Sequence, residues 1–128
     1  MITTSYYIWP GQVHFGFGVA RRVGEEAKTE GARNVFVIGD PGVAAAGLLD
    51  PIVESLAAAG LAHVTYTDVV PNPDTGSVDT AVAAFRESEA DLIVGVGGGS
   101  GLDTAKAVRL VAGGPAEGRV AEYAYRMG

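Results

Sequence analysis

The sequence contains no cysteine, so neither a disulfide framework nor a thiolate metal site can hold it together. Such a chain is at ease in a reducing compartment. Histidine is almost as scarce: only His14 and His63 occur, and no H-E-x-x-H or similar spacing is present. Each falls in or beside a strand-like run, where a packed or solvated role is the expectation, so no metal ligand and no catalytic residue is assigned. Charge is sparse as well, with 19% of residues charged and a formal net charge of −6. Affinity for a nucleic-acid backbone comes from clustered Lys and Arg, so nucleic acid is not an expected partner. No apolar run approaches the roughly 20 residues that span a bilayer. Residues 1–11 lack a basic segment followed by an apolar core, so they do not read as a secretory signal. No membrane partner is expected, and a cytoplasmic location follows by default.

What is abundant is apolar surface and glycine. Hydrophobic residues make up 48% of the 128, enough for one domain with its own core and no staples. The 19 glycines do not form a linker. Many stand at the ends of apolar runs, where turns and ligand-facing loops belong.

Along the chain, short β-like runs alternate with amphipathic helices. Val35-Phe36-Val37-Ile38, Val64-Thr65-Tyr66-Thr67 and Leu92-Ile93-Val94-Gly95-Val96 are apolar enough to suit buried parallel strands. A helix over 19–30 sets Val19, Val23 and Ala27 four apart, with Gly31 as its stop. A second, over 48–59, sets Leu48, Leu49, Ile52, Val53 and Leu56 on one face. Pro51 fits only in its first turn, and Gly60 closes it. A third, over 78–87, carries Val78, Ala81, Val82 and Phe85, with Asp74, Thr75 or Ser77 as candidate caps. The last, over 102–112, carries Leu102, Ala105 and Val108 on one stripe. One or two irregular strands are expected over 6–15 and a short helix over 119–127. The fold class is α/β: right-handed βαβ units in an open, mostly parallel sheet with helices on both faces. Such a sheet ordinarily continues with another strand after the last helix. None follows here, so the sheet is expected to be incomplete at its C-terminal end and the chain to be truncated.

The strongest local signal is Gly97-Gly98-Gly99-Ser100-Gly101-Leu102-Asp103-Thr104-Ala105-Lys106, between a strand and a helix. Glycines let the backbone turn sharply and let a ligand approach, and the following helix aims free N–H groups and its positive dipole end at that ligand. The geometry suits a pyrophosphate. It is not a P-loop, because Lys106 is not preceded by glycine, and it is not G-x-G-x-x-G, because Leu102 takes the third glycine position. Ser100 and Asp103 also match a helix capping box, a purely structural use of the same residues.

GGGSGLDTAK resembles the GGGSxxDxAK signature of the iron-containing (group III) alcohol dehydrogenases. Other pieces agree in order: Phe15-Gly16-Phe17-Gly18 with an early F-G-x-G segment, Val37-Ile38-Gly39-Asp40 with a strand end carrying an acid, and Val70-Pro71-Asn72-Pro73 with a P-N-P turn. The resemblance implies a Rossmann-like domain that binds a nicotinamide cofactor, with residues 1–128 as the N-terminal dinucleotide-binding domain. It implies that Gly97, Gly98, Gly99 and Ser100 hold the cofactor pyrophosphate. Asp40, just after a strand, would accept bonds from ribose hydroxyls and repel a 2′-phosphate, so NAD is favoured over NADP; alternatively it opens an Asp40-Pro41-Gly42 turn. Asn72 is placed near the cofactor by the resemblance, or it shapes a rigid turn between two prolines. Asp103 and Lys106 are matched signature positions, with a solvated helix face as the plain alternative for Lys106.

The family's chemistry uses a divalent metal, usually iron, in an all-helical C-terminal domain, and transfers hydride between a primary or secondary alcohol or aldehyde and the cofactor. That domain and its T-T-x-G-T-G-S-E stretch are absent from this sequence. The isolated chain is therefore expected to bind NAD weakly and to turn over no alcohol. An unpaired sheet edge and exposed apolar surface favour self-association, so a homo-oligomer is expected. A metal-independent relative of the maleylacetate reductase kind, or a non-catalytic nucleotide-binding module, are the alternatives.

Overall fold

The computed structural model describes His14 and residues 16–113. The expected helix over 119–127 lies outside the described residues. So do the expected strands over 6–15, except that His14 is in no regular element.

Among the described residues three parallel strands form one sheet: β1 (Asn34–Gly39), β2 (Ala62–Tyr66) and β3 (Leu92–Val96), in the spatial order β2-β1-β3. In register, Val37 lies beside Thr65 on one side and Val94 on the other. β1 is central, and Val35, Phe36, Val37 and Ile38 are buried on both of its faces. Five helices stand among the described residues: α1 (Val23–Thr29), α2 (Pro41–Ala45), α3 (Asp50–Ala58), α4 (Thr75–Ser88) and α5 (Gly99–Ala112). Strand alternation sends Val35 and Val37 to one layer with Ala27, Ile52 and Leu56 of α1 and α3. Phe36 and Ile38 go to the other layer, with Val82 of α4 and Val108 of α5. The expected open α/β sheet with helices on both faces is what forms, and no described helix is long and apolar enough to cross a membrane.

Several boundaries differ from the sequence reading, each for a local reason. The first helix opens as a 3-10 turn, Val19–Arg22, before α1 begins. Gly31 ends it as expected: Ala32 N–H reaches Ala27 C=O and Gly31 N–H reaches Lys28 C=O, both at 3.0 Å, and Gly60 ends α3 with the same pair of bonds. The helix expected over 48–59 is α3 alone, starting at Asp50, and Leu48 is 55% exposed in the preceding turn instead of on the apolar face. Pro51 does sit in the first turn. The Asp40-Pro41-Gly42 segment, for which a turn is the structural alternative, instead opens α2. β2 begins at Ala62 and ends at Tyr66, so His63 lies inside the strand and Thr67 outside it. Nor are all three strands buried on both faces: β2 is largely exposed and β3 half-buried, and among the described residues these are the two outer strands. α4 starts three residues early because Asp74, one of the candidate caps, accepts from the Ser77 amide at 2.7 Å.

The lower end of the sheet is tied by one carboxylate. Asp91, just before β3, accepts from the backbone N–H groups of Arg33 at 3.0 Å and Asn34 at 3.2 Å, at the start of β1. Those two amides hold the Asp91 carboxyl below the usual carboxylate range. Because the folded value lies below the unfolded one, this contribution is complete above the unfolded value and is lost as pH falls through the folded value. The urea midpoint is therefore expected to decline as pH drops below about 4. An Asp91→Asn chain should be less stable at neutral pH and should show a shallower acid decline. Equal slopes for the two chains would remove Asp91 from that role.

Candidate functional site

The strand order creates the site. From β1 the chain passes through α3 to β2 on one side of the sheet. From β2 it returns through α4, past β1, to β3 on the other side. The connections that leave the C-terminal ends of β1 and β3 thus part toward opposite faces. In open α/β sheets the crevice at such a switch point is where ligands bind. Asp40 follows β1 and Gly97 follows β3, so both border this crevice.

α5 starts at Gly99, earlier than the expected Leu102, with Gly98 as its N-cap. Ser100 is therefore inside the first turn, and no Ser100–Asp103 capping box forms; the cap has no side-chain bond at all. The first helical bond runs from the Leu102 amide to Gly98 C=O at 3.1 Å. The amides ahead of it in the first turn have no carbonyl one turn earlier to reach. Gly97 has φ +119°, and a Cβ there would lie 2.9 Å from Val43 Cγ2 and 3.7 Å from Asp40 Oδ2. A Cβ on Gly101 would meet the Val96 carbonyl oxygen at 2.8 Å. Glycine at 101 is thus what lets the helix start sit directly on the end of β3. By contrast, nothing lies within 4 Å of a Cβ at Gly98 or Gly99. That side of the loop opens outward, and its bare backbone is the surface a ligand would meet. Behind it, buried Thr104 donates from Oγ1 to the Ser100 carbonyl at 2.7 Å and fixes the turn.

Asp40 serves two edges at once. Its Oδ1 accepts from the Val43 amide at 2.7 Å and caps α2. The structural alternative raised from sequence is thus real, though as a helix cap. Its Oδ2 is on the Gly97 side. Asp40 and Ser100 line a common pocket of about 290 Å³ with Pro41, Gly42, Val69 and Pro71. Sequence reasoning had not singled out Val69 or the α2 start as walls. Pro71, the first proline of the P-N-P turn, was the available signal.

Of the expected positions only Asp40 and Ser100 line this pocket; Gly97, Gly98, Gly99, Asn72, Asp103 and Lys106 do not. Asn72 is exposed at the tip of its turn with φ +49°. Asp103 and Lys106 are exposed on α5, and Leu102, expected on the buried stripe, is 39% exposed. The buried stripe is Gly101, Thr104, Ala105, Val108 and Val111. Neither histidine joins a metal-binding group. His14 pairs with Glu26 at 3.3 Å and lies 3.3 Å from an Arg22 nitrogen, while His63 sits beside Val35 in the sheet. Among the described residues no group of three or more His, Asp or Glu could hold a metal ion.

The family model for iron-containing alcohol dehydrogenase matches residues 10–127, nearly the whole chain and all of the site just described. The chain belongs to the iron-containing alcohol dehydrogenase family. Among curated members of this family of dehydrogenases, long-chain-alcohol dehydrogenase 1 of Geobacillus thermodenitrificans is 39% identical over 122 residues, which is 95% of this chain and 30% of that relative. Among solved structures, an archaeal halo-thermophilic alcohol dehydrogenase from a Red Sea brine pool superposes with TM-score 0.82 at 30% identity, over 96% of this chain and 32% of that one. The NADH-dependent butanol dehydrogenase A of Thermotoga maritima superposes with TM-score 0.77 at 36% identity, over 91% of this chain and 29% of that one. This chain therefore spans about a third or less of the alcohol dehydrogenases it resembles.

Proposed function

We propose that residues 1–128 are the NAD-binding part of an iron-dependent alcohol dehydrogenase that transfers hydride between a primary or secondary alcohol or aldehyde and a nicotinamide cofactor. One observation carries the reading. α5 starts at the switch point of the sheet, with open space over Gly98 and Gly99 and with Ser100 and Asp40 lining one pocket. Gly97, Gly98, Gly99 and Ser100 would hold the diphosphate through backbone N–H groups and the helix dipole. Asp40, through the oxygen not used in capping, would take the ribose hydroxyls and disfavour a 2′-phosphate. The NADH dependence of the butanol dehydrogenase points the same way. Asn72, Asp103 and Lys106 are assigned to the rim, beside the loop but outside the pocket wall.

Nicotinamide supplies the hydride chemistry when bound, and the residues here bind and orient its carrier. The iron of the family name does not fit the described residues, so no step is drawn through it; we assign the metal to the part of the enzyme outside this chain. A cytoplasmic setting suits a chain without cysteine, and a net charge of −6 does not favour nucleic acid as a partner.

Titrating the labelled protein with NAD is expected to shift the amide signals of Gly97, Gly98, Gly99, Ser100 and Gly101 at millimolar ligand, with NADP weaker. Unmoved signals would end this assignment. Asp40→Ser keeps a side-chain oxygen for the cap but removes the charge. It is expected to narrow the gap between NAD and NADP affinities by about tenfold. A gap of the wild-type size would show that Asp40 is a cap and nothing more.

A further inference from the structure

We propose that Val43 is a positioning residue of the nucleotide site: it sets the distance between the Asp40 carboxylate and the glycine loop, so that one ligand reaches both. The proposal rests on the assignment of ribose to Asp40 and of diphosphate to the loop, and its test separates the two.

Val43 meets both halves of the site. Its amide donates to Asp40 Oδ1 at 2.7 Å and so fixes how the carboxylate is turned. Its side chain lies against the other half. A Cβ on Gly97 would stand 2.9 Å from Val43 Cγ2, so the Gly97 backbone rests on this methyl. The other methyl, Cγ1, is 3.6 Å from where a Cβ on Gly39 would be, at the end of β1. Val43 thus fills the corner between α2, the end of β1 and the start of the loop, and it is buried there. A β-branched side chain in a helix has one strongly preferred rotamer, so Val43 does not swing aside to let the loop settle. Asp40 Oδ2, the oxygen not used in capping, is held 3.7 Å from the same Gly97 Cβ position.

The shape of the loop itself is fixed elsewhere. Thr104 Oγ1 donates to the Ser100 carbonyl at 2.7 Å, and Gly101 sits on the Val96 carbonyl. Val43 therefore governs the separation of two units that each keep their own form. Ribose and diphosphate are joined covalently in the ligand. The second contact adds affinity only where the protein's spacing matches the ligand's. A mismatch of about 0.5 Å is enough to forfeit much of that gain.

The test uses variants of the 128-residue chain and two probes, NAD and inorganic pyrophosphate. Pyrophosphate has no ribose and reads the loop alone. Val43→Ala removes both methyls and lets the loop settle toward α2. It is expected to lower NAD affinity about tenfold and to leave pyrophosphate affinity within about twofold. Val43→Thr keeps the branched shape but buries a hydroxyl, which costs stability without changing the spacing. Its Tm should fall while its NAD affinity stays within about twofold of the unaltered chain. Should Val43→Ala fail to fold, Val43→Ile keeps the corner filled. Its added methyl extends from the Cγ1 side and wedges α2 away from β1, with the same loss of NAD affinity expected and pyrophosphate again unchanged. If Val43 served the fold alone, NAD affinity would follow Tm across the variants, or both probes would weaken together, and either result overturns the proposal. Full NAD affinity in Val43→Ala or Val43→Ile overturns it as well, with the diphosphate cradle left standing. An unaltered chain whose Gly98 and Gly99 amide signals ignore pyrophosphate overturns the cradle, and this proposal with it.

Discussion

Gly99→Asp is expected to lower NAD affinity by about 10- to 100-fold while leaving the fold intact. The position is the first residue of α5, and a Cβ there meets nothing within 4 Å. Aspartate in a first helical turn is favourable to the helix, so thermal stability should hold or rise slightly. The diphosphate, however, would meet a carboxylate where it should meet bare amides. Two like charges about 4 Å apart repel by about 4 kcal/mol at an effective dielectric of about 20. Solvent at the open rim weakens this, which sets the expected range. Gly101→Ala is the informative contrast, because its Cβ would fall 2.8 Å from the Val96 carbonyl oxygen and push the helix start away from β3. That variant should lose stability and binding together. Calorimetric titration beside thermal melts separates the two outcomes, and undiminished NAD affinity in Gly99→Asp would count directly against the diphosphate cradle.

Phe36→Ala should be the most damaging change to the fold. Phe36 is 1% exposed in the middle of the central strand. Its ring stacks on Tyr66 with centroids 5.8 Å apart and meets Phe85 edge-on at 5.4 Å. It therefore joins β2 and α4 to the sheet through one side chain. Removing a buried phenylalanine costs about 3–5 kcal/mol, because the cavity adds to the lost burial. Domains of this size are stable by roughly 5–15 kcal/mol in total. A fall in Tm of about 15 °C or more is expected, enough to leave the chain marginal. Phe36→Leu refills much of the space and should recover about half of the loss. A small effect of Phe36→Ala in denaturant titration would mean that the layer under α4 and α5 is packed more loosely than its burial implies.

Most of the elements could be read from local pattern. β1 is a run of four β-branched or aromatic residues ended by glycine, and a run of that kind has few other uses in a small domain. Gly31 and Gly60 stopped their helices as expected, and Pro51 marked a first turn, because these residues act through the geometry of their own backbone. Two places are ambiguous from sequence, because their residues serve two local structures equally well. Asp40-Pro41-Gly42 has the composition of a turn and also that of an N-cap followed by proline at a first helical position. Gly99 and Gly101 are poor helix formers, so the start of α5 was set too late. The helix begins there because the close approach to Val96 outweighs the propensity of glycine. Leu48 and Leu102 were misplaced because apolar spacing shows which residues could share a face, and does not show whether another element covers that face.

The amino-acid order was enough to establish the α/β class, a glycine-rich strand-to-helix junction, and the family to which the chain belongs. All three are written in short-range patterns: periodicity, stop residues and one contiguous motif. It could not establish that β1 lies between β2 and β3, or that Asp40 and Ser100 line one pocket. Those facts depend on strand order, and the hydrophobic period that builds a strand is the same whichever neighbour the strand finds.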